Sequence, residues 1–439
     1  MKIAIVGSGI AGLGAAWLLR QRHQVALFER QPRAGGHTNT IEVPGRDGRS
    51  VPVDTGFIVF NERNYVHLTA LFERLGVATR DSDMSFAVSL DQGAYEYAGD
   101  NLPSLFAQRR NLLRIGHWRM LSGILKFNRE AGRWLAAGGQ PGISLGEYLD
   151  RGRYGNELRH RYLLPMGAAI WSCPVAEMLE FPAASFLAFF RNHGLLEVTG
   201  RPQWKTVTGG SHTYVRRMLA DLEGNVRLDE GVTGVRRTPD GVRVRTVRGG
   251  EEHFDAAVMA CHADQSLALL EDASRLERNV LGAFRYQRNH ALLHSDPALM
   301  PSRRRAWSSW NYLGERVGGP GSRVSVTYWM NRLQRLTSSS QYFVTLNPLR
   351  DPAPGALIYQ TEYDHPVYDR NALEAQGRLG QLQGRAGIWF CGGYCGYGFH
   401  EDALASAVNV AAALGVRAPW QEAGTATLTQ SPAAGVLVP

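Results

Sequence analysis

Residues 3–6, Ile-Ala-Ile-Val, form an unbroken apolar run that stops at Gly7. A short run closed by glycine predicts a buried strand. The segment Gly7-Ser8-Gly9-Ile10-Ala11-Gly12 follows, and the apolar stretch at 13–19 predicts a helix. A second apolar strand is expected over Gln24–Phe28, closed by Glu29. Farther along, residues 225–247 alternate apolar and polar about Pro239-Asp240-Gly241, which predicts a hairpin. Residues 254–261 (FDAAVMAC) and 387–391 (GIWFC) predict two more buried strands. After Gly392-Gly393 the apolar spacing from 402 to 414 is helical, with Gly415 at the C-cap position. The stretch 283–362 is rich in short strand patterns. Within it Val324, Val326, Tyr328 and Met330 fall on one face, and Arg323, Ser325, Thr327 and Trp329 on the other, which predicts an antiparallel sheet. Residues 101–138 read as helical, with Leu112, Leu113, Ile115, Trp118, Leu121, Ile124, Leu125 and Phe127 interleaved with Arg109, Arg110, Arg114, Arg119 and Lys126.

The order strand, Gly-x-Gly-x-x-Gly, helix, strand, acid is a βαβ unit for a dinucleotide. Gly7 serves the tight turn, Gly9 allows backbone to approach a pyrophosphate, and Gly12 lets the helix pack close to the sheet. The helix start at Ile10 and Ala11 offers unpaired N–H groups to phosphate. Glu29 is placed to accept hydrogen bonds from a ribose diol. Just beyond, Arg33 and Gly35-Gly36 supply charge and backbone access where a segment folds back beside the pyrophosphate.

With 439 residues the chain is long enough for two domains. Hydrophobic content of 44% and charge of 20% exclude global disorder. The formal charge of +8 favours anionic surfaces without choosing among them. No nucleic-acid-binding module stands out, so no nucleic-acid partner is expected. Cys173, Cys261, Cys391 and Cys395 are spread without a Cys-x-x-Cys pair, which reads as reduced thiols and a cytoplasmic location. The thirteen histidines form no ligand-spaced motif, and no metal is expected. The apolar N-terminus is not read as a signal peptide, because glycines interrupt it and cleavage would remove the first strand. No uncharged stretch reaches the length of a membrane span.

On Glu29, then Arg33-Ala34-Gly35-Gly36, the chain resembles the flavin-containing amine oxidase and phytoene desaturase superfamily. Members carry the glycine triplet, an acid and an Arg-x-Gly-Gly element; His37 stands where many have Arg. The resemblance implies FAD, held by Gly7, Gly9, Ile10, Ala11, Gly12, Glu29, Arg30, Arg33, Gly35, Gly36, His37 and Thr38, with Val232 near the adenine. It also implies that Gly392, Gly393, Phe399, Asp402 and Ala403 contact pyrophosphate and ribitol, while the following helix aims its N-terminus at the flavin ring. The expected fold class is α/β. A discontinuous Rossmann-type FAD-binding domain (1–90, 205–265 and 375–417) accompanies a second α+β substrate domain carrying an antiparallel sheet (91–204 and 266–374). Residues 418–439, rich in Ala, Thr, Gly and Pro, are expected to form a mobile tail.

Segments including 53–61 (VDTGFIVFN), 83–91, 104–111, 170–174, 200–204, 344–348 and 391–402 are similar to the N-terminal flavin domain fused to methyltransferase in plant cyclopropane fatty acid synthases, and to its free-standing bacterial homologues. The similarity runs over roughly residues 1–416. It implies oxidation or desaturation of methyl-branched or cyclopropane-related fatty acyl chains of membrane lipids, by hydride transfer to flavin. The substrate expected is a lipid or other apolar small molecule, with a lipid methyltransferase as partner. Amine oxidation, double-bond isomerisation and a non-catalytic role beside that methyltransferase stay open. His400 and Glu401 are nominated as catalytic groups by position, each equally a candidate for holding the turn. Tyr394 and Tyr397 are placed for an aromatic cage. Lys205 is either a flavin-side lysine or a surface residue, and His212 and His262 are expected to satisfy backbone groups. The basic segment 101–138 is either a solvated helix face or a peripheral contact with an anionic bilayer at the inner membrane face.

Overall fold

The computed structural model describes residues 1–45, 48–140, 142–171, 175–197, 200–314 and 324–422. Cys173, Arg323 and the tail from 423 lie outside the described residues. Five strands form a wholly parallel sheet in the order Val226–Arg227, Gln24–Phe28, Lys2–Val6, Ala256–Met259, Ile388–Phe390. Their near-continuous apolar sequence suits a sheet covered on both faces. Ile3 and Ile5 pack with Leu13, Ala16, Leu404 and Val408, beneath the helices Ile10–Leu19 and His400–Ala413. Ala4 and Val6 pack with Val235, Val242 and Phe254 on the other face. That face carries the antiparallel strands Val232–Thr238, Gly241–Thr246 and Glu251–Phe254, so the expected hairpin gains a third strand. A β-carbon on Gly14 would crowd Leu404 at 2.7 Å, so glycine lets the two helices approach.

A second sheet has seven strands, in the order Leu357–Val367, Arg285–His294, Phe343–Leu346, Val324–Trp329, Trp310–Gly314, Phe86–Leu90, Tyr95–Ala98. It is antiparallel except where Phe86–Leu90 pairs in parallel with Trp310–Gly314. Phe86–Leu90 thus belongs to this sheet, although the sequence boundary fell at 90. The helices Ile115–Ala136, Leu164–Trp171 and Ala183–Asn192 contribute to its core. A small sheet of Phe60–Asn61, Trp204–Val207 and Thr79–Asp81 bridges distant segments.

The segment expected to be one helix over 101–138 is broken into Leu102–Leu105, a tight turn at Arg109–Leu113, and Ile115–Ala136. The break follows from polar side chains that turn inward. Asn111 Nδ2 donates to the Glu96 carbonyl at 3.0 Å, and Gln108 Nε2 to that of Ala94 at 3.2 Å. Residues 418–422, expected within the mobile tail, pack on the protein instead. Ala418 is buried, and Trp420 stacks on Trp17 with ring centroids 6.3 Å apart. Trp420 Nε1 donates to His67 Nδ1 at 3.0 Å. Among the described residues no helix is long and apolar enough to cross a membrane.

Candidate active site

The C-terminal ends of the parallel strands open into a cavity of about 1140 Å³, lined there by Val6, Phe28, Ala260 and Gly392. This is where open α/β sheets place ligands. Gly7 takes φ +101° and donates its N–H to the Phe28 carbonyl at 2.8 Å, which turns the chain tightly off its strand. A β-carbon on Gly9 would meet nothing within 4 Å, so its backbone faces open space. The second glycine loop docks on the first. Gly35 N donates to the Ser8 carbonyl at 2.9 Å, and a β-carbon on Gly36 would lie 3.2 Å from Gly9 Cα. Arg33 braces this loop, its Nη1 donating to the carbonyls of Gly36 (3.0 Å) and Thr38 (3.3 Å).

Glu29 lines the cavity and is held by three donors. Its Oε2 accepts from Ser8 N (3.0 Å) and Ser8 Oγ (2.6 Å), and its Oε1 from Gln31 N (2.9 Å). Arg30 and Val232 complete this end. His37 stacks against Tyr363 (4.8 Å between centroids) and His365 (5.4 Å). Burial, then the neighbouring imidazole of His365, hold its pKa well below the ordinary value; burial takes His365 down to about 4. Both are neutral at pH 7. His37 Nε2 is buried without a hydrogen-bond partner.

On the opposite wall Gly392, Gly393, Phe399, His400 and Ala403 line the cavity. Gly392 N donates to Ser406 Oγ at 2.9 Å, and the Gly393 carbonyl accepts from the Tyr368 hydroxyl at 3.2 Å. Of the residues expected at the cofactor or in catalysis, Gly12, Thr38, Glu401 and Asp402 do not line it. Gly12 keeps its packing role. Thr38 lies behind the wall, bonded to the Tyr214 hydroxyl and to His400 Nε2 (3.1 Å). Asp402, expected at the cofactor, instead closes its own helix: its Oδ2 accepts from Phe399 N at 3.0 Å. Glu401, nominated for catalysis, turns away from the cavity to cap the helix Val66–Leu75. Its carboxylate accepts from His67 N (2.8 Å) and Leu68 N (3.0 Å), satisfying two orphan donors of that helix start.

His400 does reach the cavity. Its ring lies flat on Phe57 with centroids 3.8 Å apart, and burial pushes its pKa down to about 3, leaving a weakly basic neutral imidazole. Tyr394 and Tyr397 both line the cavity but pack on different neighbours, Phe284 (5.2 Å) and Phe189 (6.3 Å). Lys205 pairs with Glu62 and does not line it. His212 Nε2 lies 3.7 Å from Glu42, whereas His262 lines the cavity, stacked on Tyr286 at 4.4 Å.

The far end is apolar, walled by Phe86, Met166, Trp171, Phe189, Trp204 and Tyr328. Asp83 and Asp100 also line the cavity, but Arg332 Nη2 holds both, at 2.9 and 2.6 Å. Arg201 lines the cavity as well and is exposed, its Nε donating to the Glu197 carbonyl at 2.9 Å. Sequence reasoning did not single out Ser8, Phe57, Tyr363 or His365. The period-two placement of Tyr359, Tyr363 and His365 on one strand face was the available signal for the last two.

The open backbone at Gly9, the anchored Glu29 and the unpartnered His37 Nε2 fit a dinucleotide laid across the two loops. Comparison with known proteins agrees. Residues 10–295 match the family of flavin containing amine oxidoreductases. The Mycobacterium tuberculosis (strain ATCC 25618 / H37Rv) protein designated flavin-containing monoamine oxidase AofH is 30% identical over 259 residues, 57% of this chain and 55% of the relative. The carotenoid phi-ring synthase of Streptomyces griseus is 26% identical over 277 residues, 59% and 52% of the two chains. The match thus spans about half the length of these relatives. Among solved structures, putrescine oxidase bound to putrescine superposes with a TM-score of 0.66 at 16% identity, over 94% of this chain and 99% of that one. A CLA-producing fatty acid isomerase from P. acnes gives 0.67 at 16% identity, over 94% and 98%. At these identities the likeness establishes the fold.

Proposed function

Because the chain belongs to the flavin-containing amine oxidoreductase family, with FAD as its cofactor, we propose that it is an FAD-dependent oxidoreductase of apolar lipid substrates, which oxidises or desaturates fatty acyl chains. The observation that carries this reading is the charge at the apolar end of the cavity. Both carboxylates there, Asp83 and Asp100, are salt-bridged to the Arg332 guanidinium, and Arg201 adds the second cation that balances their two negative charges. An ammonium group entering this end finds no unpaired anion, while an acyl chain finds aromatic and aliphatic walls.

The two glycine loops would bind the pyrophosphate, Glu29 would take the adenosine ribose, and Val232 would bound the adenine. FAD, when bound, supplies the hydride acceptor. The N-terminus of His400–Ala413 brings a positive dipole to the same cavity, stabilising negative charge there. Phe57 and His400 form a flat, uncharged wall, and the aromatic end excludes water and orients the chain.

Methyl-branched or cyclopropane-related chains are the substrates favoured by the similarity of 53–61 and 391–402 to the flavin domain of plant cyclopropane fatty acid synthases. A lipid methyltransferase is the partner that similarity points to. Deletion of the gene in the native host, followed by fatty acid methyl ester profiling, tests the reading. The expected result is accumulation of the unoxidised chain. An unchanged profile contradicts it.

A further inference from the structure

The largest grouping of exposed apolar side chains lies outside the cavity. Leu113 is 88% exposed, Leu102 72% and Ile115 71%, and Leu112, Trp118 and Leu125 are each at least half exposed. Single exposed apolar residues are ordinary on protein surfaces, but contiguous ones mark contacts. Those from Leu112 to Leu125 are contiguous. Trp118 Nε1 donates to the Leu112 carbonyl at 3.0 Å, fastening the turn to the helix that follows. On Ile115–Ala136, Ile115, Trp118, Ser122 and Leu125 recur at intervals of three and four residues, while His117, Met120, Phe127 and Ala131 face the core.

The same face is basic. Residues 101–138 hold seven Lys and Arg against the single acid Glu130. Arg114 turns to the Ala94 carbonyl and Arg110 reaches it while staying exposed; Arg109, Arg119, Arg129 and Arg133 are exposed around the apolar stripe, with Arg119 3.8 Å from Glu157. Apolar side chains rimmed by outward cations complement a surface with anionic head groups over hydrocarbon. A protein partner would have to bring its own acidic rim; an anionic bilayer supplies one everywhere.

We propose that Leu112, Leu113, Ile115, Trp118 and Leu125 dock the protein on an anionic lipid bilayer, with Arg109, Arg119, Arg129 and Arg133 at head-group level. Three ring contacts link this face to the cavity through the core. Trp118 packs on Phe106 (5.5 Å), Phe106 on His117 (5.3 Å), and His117 on Tyr97 (5.8 Å), which lines the cavity beside Gly99 and Asp100. The proposal goes beyond the substrate reading and stands without it, since an enzyme of another substrate would bind vesicles equally.

Flotation of the FAD-loaded protein with phosphatidylcholine vesicles, with and without phosphatidylglycerol, is the test. Wild type is expected to float only with the anionic vesicles and to be released by salt. Reversing Arg109→Glu and Arg119→Glu is expected to weaken binding by at least about fivefold per arginine. The pair Leu113→Glu and Ile115→Glu is expected to abolish it. All these residues are exposed, so flavin absorbance and melting temperature are expected to be retained. Equal flotation with both vesicle types, no flotation of wild type, or variants that float like wild type would overturn the proposal. So would a Leu113/Ile115 variant that turns an oligomer into a monomer without changing vesicle binding, which would assign the face to a second copy of the chain.

Discussion

Gly12 packs so closely on Gly7 that a β-carbon on Gly12 would overlap the Gly7 carbonyl and lie 3.2 Å from Ala260 Cβ. Three residues before Gly12, a β-carbon on Gly9 would meet nothing within 4 Å. The two glycines thus serve different ends. Gly12→Ala forces the helix off the strand ends and is expected to destabilise the apoprotein by about 1–3 kcal/mol. Gly9→Ala is expected to leave apoprotein melting unchanged and weaken FAD binding by at least about tenfold. Thermal melts of the apoproteins and FAD titrations separate the two effects.

Glu29 holds the first loop while facing the cavity. Its carboxylate accepts three hydrogen bonds, from Ser8 N, Ser8 Oγ and Gln31 N. In Glu29→Gln the amide NH2 must oppose either the Ser8 donors or the Gln31 N–H. Hydrogen bonds to charged groups are worth about 1.5–3 kcal/mol. FAD affinity measured by fluorescence titration is expected to fall by roughly ten- to hundredfold, with the parallel sheet intact by circular dichroism.

The parallel core and its glycine loops were legible because each is a contiguous pattern: apolar run, glycines, helix, acid. Rotation about a helix axis was not legible. His400 and Glu401 are adjacent, yet one lines the cavity and the other caps Val66–Leu75. That choice is made by packing against a helix more than three hundred residues earlier in the chain. The parallel pairing of Phe86–Leu90 with Trp310–Gly314 depends on long-range register for the same reason. The break at Asn111 was hidden because its cause, a bond to the Glu96 carbonyl, lies on a neighbouring strand.

The cap made by Glu401 carries a pH signature. Burial raises its pKa from 4.5 to about 7, against the hydrogen bonds from His67 and Leu68. A raised folded-state pKa means tighter proton binding in the folded state. Its contribution is full below about 4.5 and is lost as pH rises through about 7. The shift is worth on the order of 3 kcal/mol. Glu401→Gln keeps an acceptor at the helix start and cannot titrate. The stability difference, wild type minus variant, is expected to fall as pH rises from about 4.5 to about 7. His400, depressed to about 3, acts in the opposite sense: its contribution is present above 6.5 and is lost as pH falls toward 3. The difference curve from chemical denaturation isolates Glu401.

Arg332 sets the charge at the apolar end. Removing it leaves Asp83 and Asp100 facing the cavity without their cation. Alkylammonium inhibitors are expected to bind wild type weakly and Arg332→Gln about fivefold or more tightly, with alkanoates moving the other way; one charge interaction of about 1 kcal/mol sets that scale. Competition binding monitored by flavin absorbance measures both. Unchanged selectivity would remove the charge argument for an acyl substrate.

The central claim is that the flavin takes hydride from an apolar chain. Anaerobic mixing of the FAD-loaded protein with phospholipid extracts and, separately, with a panel of amines tests it directly. Flavin absorbance is followed, then the lipid is identified by mass spectrometry. The account predicts bleaching by lipid, with an acyl chain lighter by two hydrogens, and no bleaching by amines. Bleaching by an amine alone, or an altered lipid double bond with no net bleaching and no change in mass, would contradict it.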